Sequence, residues 1–174
     1  MSASHSSTVI ATIVAYLRGM KHVLGQAQAY VEAKEIEESA LLGARMIADM
    51  APLSFQVQTA SELPARGIAR LAGASVPDYG RDEKTLADFV ARLDRATADV
   101  AQHSVEDVAA GLERDHEVPL GPTAVPMNGA LYLYQFLLPN FFFHATTTYS
   151  ILRENGVPLG KRDFMAGAQF MPGN

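Results

Sequence analysis

Apolar residues recur at three- and four-residue steps along most of the chain, beginning with Ile10, Ile13, Val14, Leu17, Met20, Leu24, Ala27 and Val31. That period gathers them on one face of a helix, so the spacing predicts a first long helix over residues 8–31. Glu32 to Ser39 is a charged connection, and residues 39–47 are expected to hold a short helical turn. A second stripe, Leu53, Val57, Ala60, Leu63, Ile68 and Leu71, follows Pro52 and stops at Gly73. Proline suits the first turn of a helix and glycine tolerates the left-handed cap at its end. Pro64 lies inside this stripe; its missing N–H and bulky ring predict a kink or break between Ser61 and Leu63.

After a loop carrying Pro77 and Gly80, the positions Leu86, Phe89, Val90, Leu93, Ala96 and Val100 predict a third helix over residues 83–102. Ser104, with Asp107 three residues on, is placed to cap another short turn. Two short extended runs flank Gly121-Pro122, which reads as a small hairpin. Asn128 caps a last long helix over residues 129–155, closed by Gly156 and Pro158. The expected fold is therefore all-α, a four-helix bundle with a small β-hairpin before the last helix. At 174 residues the chain suits one domain, its core over about residues 8–167 between short flexible tails.

Composition mainly excludes. With 48% apolar and 19% charged residues and no biased tract, the chain is expected to bury a core rather than stay disordered. The absence of cysteine removes disulfides, thiolate zinc sites and a cysteine nucleophile together. A net charge of -5 without a basic stripe longer than Lys161-Arg162 argues against nucleic acid as a partner. No Lys or Arg precedes the early apolar run, and Val9 to Leu17 is too short to span a bilayer. A cytoplasmic protein with no membrane partner is the expectation.

Candidate chemistry concentrates in the last helix. Leu133, Leu137, Asn140, Phe141, His144, Thr147, Thr148 and Ile151 share a face at helical spacing, so Asn140 and His144 are expected to point the same way as core leucines. Phe136, Phe143, Tyr149 and Leu152 make the opposite side apolar too, so this helix must be innermost or lie against a second subunit, and a homodimer is one expectation. Pro139 deprives the Gln135 carbonyl of its ladder partner, and such kinked helices border pockets or simply wrap the core. An inward imidazole needs partners. Asn140, Thr148, Gln56, Gln58 and Asp49 are candidates, and His144 can be a satisfied core residue, an acid/base or ligand-binding residue, or a metal ligand. Lys161 and Arg162, with Asp163, offer an anion site or only a solvated charge cluster; the preceding glycines have the wrong spacing and context for a phosphate loop. His5, His22, His103 and His116 are scattered and expected to be exposed, and neither the Glu35 to Glu38 run nor Asp82-Glu83 has the paired-acid setting of a hydrolase.

The run LPNFFFHATTTYSILRENGVPLGKRDFM, with DMAPLSFQVQ before it, resembles an uncharacterised family within the DinB/YfiT-like superfamily of four-helix bundles. The likeness extends from the first helix to about Gly167. Relatives in that superfamily include thiol-dependent transferases and isomerases that hold a divalent metal with three histidines, one on helix two and two spaced four apart on the last helix. Only His144 matches: Thr148 stands where the second histidine belongs, and helix two has none. The resemblance thus implies the fold and argues against a divalent metal or other cofactor. It leaves a small-molecule pocket near His144, with Asn140 as its catalytic companion and Gln56, Gln58, Thr148, Tyr149, Lys161 and Arg162 as ligand-binding candidates. The alternatives are a binding or scaffold protein without turnover and a metal-assisted transferase or isomerase.

Overall fold

The computed structural model describes residues 3–170. Four long helices, α1 (Ala3–Ala33), α3 (Leu53–Ala72), α4 (Leu86–Ala101) and α7 (Leu138–Glu154), form the bundle among these residues. Between them lie the short helices α2 (Glu38–Leu42), α5 (Val105–Leu112) and α6 (Gly129–Leu131), and α8 (Lys161–Phe164) follows the bundle. Around the core α1 packs on α4, α4 on α3, α3 on α7, and α7 closes back onto α1. Ile13, Leu17, Met20, Leu53, Ile68, Phe89, Leu93, Leu137 and Phe141 meet inside with no exposed surface. The apolar stripes read from the sequence face one another, and burial of that surface holds the helices together.

The first helix starts at Ala3, five residues before the predicted start, so part of the expected N-terminal tail is helical; residues 1–2 and 171–174 of the tails lie outside the described residues. Helix α4 starts later than expected. Thr85 Oγ1 accepts the Asp88 N–H at 3.1 Å while the Asp88 carboxylate accepts the Thr85 N–H at 2.9 Å, a capping box that fixes the helix start at Leu86. Glu83 is thereby left outside the helix and turns toward Arg92.

The two strands are β1 (Asp115–Leu120) and β2 (Thr123–Asn128), paired antiparallel from Asp115 opposite Asn128 to Leu120 opposite Thr123. Gly121 has φ 63 and Pro122 follows with proline's fixed negative φ, the sign pattern of a two-residue II′ turn. Asn128 Oδ1 then accepts the Ala130 N–H at 3.1 Å and starts the helical run, as its position predicts.

The two in-helix prolines are met in different ways, and the expected break at Pro64 does not occur. Helix α3 is not broken: it runs from Leu53 through Pro64 to Ala72, and Gly73 caps it at φ 71. At Pro139 the chain answers with a wider turn. Residues Tyr132–Leu137 are π-helical, and the Leu138 N–H bonds the Leu133 carbonyl, five residues back. This resets the register, so Pro139 falls in the first turn of α7, where a missing N–H costs least.

Part of the second apolar side of the last helix is covered by the chain itself. Phe142 meets Tyr16 of α1 edge-on at 5.0 Å between ring centroids, and Tyr149 meets Phe164 of α8 at 5.8 Å. The C-terminal segment therefore lies across α1 and α7, held by a 3.0 Å contact between His22 Nε2 and Asp163 Oδ1. The Gly160 N–H, 2.7 Å from Asp163 Oδ2, and His22 together hold the Asp163 carboxyl below the usual carboxylate range.

Candidate functional site

The buried line of α7 is Phe141, Ala145, Thr148 and Leu152, which leaves Asn140 and His144 half-buried along its border. The Asn140 amide donates to the Phe136 carbonyl at 2.7 Å, and the Thr148 hydroxyl donates to the His144 carbonyl at 2.9 Å. Both side chains serve their own helix. The imidazole instead reaches across to α3: His144 Nδ1 lies 2.7 Å from Gln56 Oε1.

Gln56 makes that contact unambiguous. Its Nε2 donates to the Ala51 carbonyl at 3.0 Å, which has no hydrogen to offer in return, so the amide oxygen must face His144. An amide oxygen only accepts, and Nδ1 therefore carries the proton. In the neutral ring Nε2 is left with its lone pair, and it has no hydrogen-bond partner among the described residues. The chain Ala51 carbonyl, Gln56 amide, His144 Nδ1–H thus sets one tautomer and presents one basic nitrogen.

Two phenylalanines flank the ring edge-on, Phe55 at 6.1 Å and Phe143 at 5.2 Å between centroids. Both stay open to solvent, Phe55 at 36% and Phe143 at 55%, although rings of this size are ordinarily buried. Arg81 lies over the Phe55 ring at 5.0 Å. Thr59 shares a helical face with Phe55 and Gln56, and its Oγ1 is buried without a hydrogen-bond partner among the described residues. A buried hydroxyl left so costs on the order of 1–3 kcal/mol.

Burial holds the His144 pKa below its ordinary value of 6.5. Between the two values the unfolded chain binds a proton that the folded chain does not, so stability falls as pH drops below 6.5 toward the folded-state pKa. His144→Gln is expected to flatten that part of a stability-against-pH curve measured by urea denaturation. It should leave acid unfolding below about pH 4.5 unchanged, the range in which paired carboxylates titrate.

The other predicted site residues lie elsewhere. Gln58, two residues from Gln56 and so on another face of α3, donates to Glu83 at 2.8 Å. Tyr149 is packed on Phe164, and Lys161 and Arg162 are exposed at the start of α8. His22 is exposed but tied to Asp163, and the half-buried His116 is bonded through Nε2 to the Gly111 carbonyl at 2.7 Å.

Sequence reading missed the polar heart of the molecule. Arg92, buried in α4, reaches Glu62 at 3.1 Å, Ser61 Oγ at 2.7 Å and the Gly80 carbonyl at 2.6 Å, and it also pairs with Glu83. Arg81 closes on the other oxygen of Glu62. Burial alone would raise the Glu83 carboxyl, but the Gln58 amide, its own backbone N–H and the Arg92 guanidinium together hold it below its ordinary value. The only signal was indirect: acids and arginines at positions the helical wheel turns inward.

The family model described as a domain of unknown function, DUF1993, matches residues 6–165. The chain belongs to the DUF1993 family. Its fold is similar to that of a DinB family member protein from Shewanella denitrificans, with TM-score 0.87 and 26% sequence identity over 100% of this chain and 99% of that one. No curated protein matches it. Among the described residues of this DUF1993 chain, the donors of a three-histidine metal centre do not come together. Thr148, which stands where the second histidine of such a centre belongs, is turned onto its own backbone, and no group of three His, Cys, Asp or Glu side chains converges among the described residues.

Proposed function

We propose that the protein binds a small molecule against the His144 face of α7, without a metal or other cofactor. In this reading His144 Nε2 accepts a hydrogen bond from the ligand, and Phe55 and Phe143 grip its apolar part. The observation that carries it is the fixed tautomer: Gln56, oriented by the Ala51 carbonyl, holds the proton on Nδ1 and so keeps Nε2 basic. For a ligand with an acidic proton the same nitrogen is a general base, positioned before the ligand arrives. The lowered pKa favours the lone-pair form at neutral pH.

Phenol tests this directly, because it pairs a flat apolar ring with one O–H donor, and anisole has nearly the same shape without the donor. In NMR titrations phenol is expected to shift the His144, Phe55 and Phe143 signals saturably, and anisole to bind about fivefold more weakly, the worth of one net hydrogen bond. His144→Ala should bring phenol down to the anisole level. Equal responses of the two probes, or of wild type and variant, would refute the assignment.

A second reading, a non-catalytic interaction protein, draws on the aromatic surface of α7. Phe143 and Phe142 border an open groove of about 470 Å³ with Met46, Met50 and Pro139, and a second copy of the chain is the occupant we assign to it. Sedimentation of wild type and Phe143→Ser reads this: a dimer that dissociates in the variant supports it, and a wild-type monomer removes it.

A further inference from the structure

An open cavity of about 380 Å³ lies where α3, the loop after it, β1 and the π-helical turn meet. His144 does not line it. Its apolar wall includes Leu63, Val76, Val118 and Phe136, and its polar side is Arg66, Arg70 and Tyr132, with Asp78 nearby. In a chain of net charge -5, two guanidiniums in one cavity are a local excess of positive charge.

The two arginines are not equivalent. Arg66 is engaged with the Pro77 carbonyl at 3.3 Å and with Asp78 at 3.4 Å. Arg70 has no carboxylate partner among the described residues: it donates to the Tyr132 hydroxyl at 3.2 Å and lies 5.8 Å from the centre of the same ring. Having accepted from Arg70, the Tyr132 oxygen still has its own hydrogen to donate. Arg70 has four further N–H groups in a planar fork. The π-helical turn helps form this arrangement, since it contributes both Tyr132 and Phe136, and π turns recur at functional sites.

We infer that this cavity is a second binding site, independent of His144, for a small organic monocarboxylate with an apolar body. The carboxylate takes N–H donors from Arg70 and the O–H of Tyr132, and the body lies against Leu63, Val76, Val118 and Phe136. Charge-assisted bonds to a planar fork are the strong class of hydrogen bond and select a carboxylate over a neutral amide. Asp78 disfavours a second negative charge on the ligand.

The probe is 3-phenylpropionate, with 3-phenylpropanamide as its uncharged match, titrated into the full chain and followed by NMR. Saturable shifts are expected at Val118, Tyr132 and Phe136, with the amide at least about tenfold weaker and the acid weakening as salt is raised. Arg70→Met should lower affinity for the acid at least about tenfold and leave the amide unchanged. Arg70→Lys should fall between, because it keeps the charge and loses the fork. The acid and amide comparison on wild-type protein stands even if a variant fails to fold. Equal binding of acid and amide, no saturable shift at the three residues, or shifts centred instead on Lys161 and Arg162 would overturn the inference.

Discussion

Arg92→Met is expected to destabilise the protein by about 3–5 kcal/mol, the range found when one partner of a buried ion network is removed. The side chain is 4% exposed and holds Glu62, Glu83, Ser61 and the Gly80 carbonyl together. Without it, two carboxylates lose their shared cation in a site that water barely reaches, and the loop preceding α4 loses its anchor. Most of the loss is therefore the cost of leaving Glu83 without a cation and Glu62 with only its outer partners Arg81 and Arg66. Adding Glu62→Gln and Glu83→Gln to Arg92→Met is accordingly expected to recover much of it, because the neutral side chains no longer need the guanidinium. Urea denaturation of the single and triple variants measures both. A single variant within about 1 kcal/mol of wild type would show that the network is solvated in solution.

Gly111→Ala is the second large effect, expected at about 3 kcal/mol or more. A Cβ there would lie 1.8 Å from the Leu71 carbonyl oxygen, so α5 and the end of α3 approach backbone to backbone. No side-chain rotation relieves such a clash, and the two helices must separate, which places the cost at or above the usual overpacking range. Gly25 is the internal control. It sits mid-helix in α1 with nothing within 4 Å of its would-be Cβ, so Gly25→Ala is expected to stabilise by about 0.5–1 kcal/mol. Thermal melts of the two variants should move in opposite directions. A Gly111→Ala protein as stable as wild type would mean that α5 does not pack on α3 as closely as the structure places it.

Helix period, caps and turn residues are local properties, and they fixed the element order. The stripes of α1, α3 and α4, the Ser104 and Asn128 caps and the Gly121-Pro122 turn all follow from neighbours within a few residues, where backbone sterics and hydrogen bonding decide. A wheel drawn through Pro139 could not anticipate the π turn, because a proline can be met by a kink, a break or a change of register. The surrounding packing selects among these, as it does at Pro64, where α3 runs on unbroken.

The His144 site was half legible. Helical spacing marks His144 as facing the bundle and names Gln56 among its possible partners, but Asn140 and Thr148 share its face and were equally eligible. Their bonds to their own carbonyls, against the 2.7 Å reach of His144 to Gln56, became visible only once α3 and α7 were set side by side. The tautomer required one step more, the Ala51 carbonyl that turns the Gln56 amide.

By itself, then, the sequence determined an all-α bundle with a hairpin before its last helix, membership in a recognisable family, and a histidine on the bundle-facing side of that helix. The tertiary structure alone decided which polar groups meet: Arg92 with acids 9 and 30 positions away, Arg70 with Tyr132 62 positions away, and His144 with Gln56 88 positions away. The physical reason is range. Backbone preferences act over one or two turns of chain and leave a local trace, whereas a buried charge is satisfied by whatever group the packing of distant helices brings within about 3 Å.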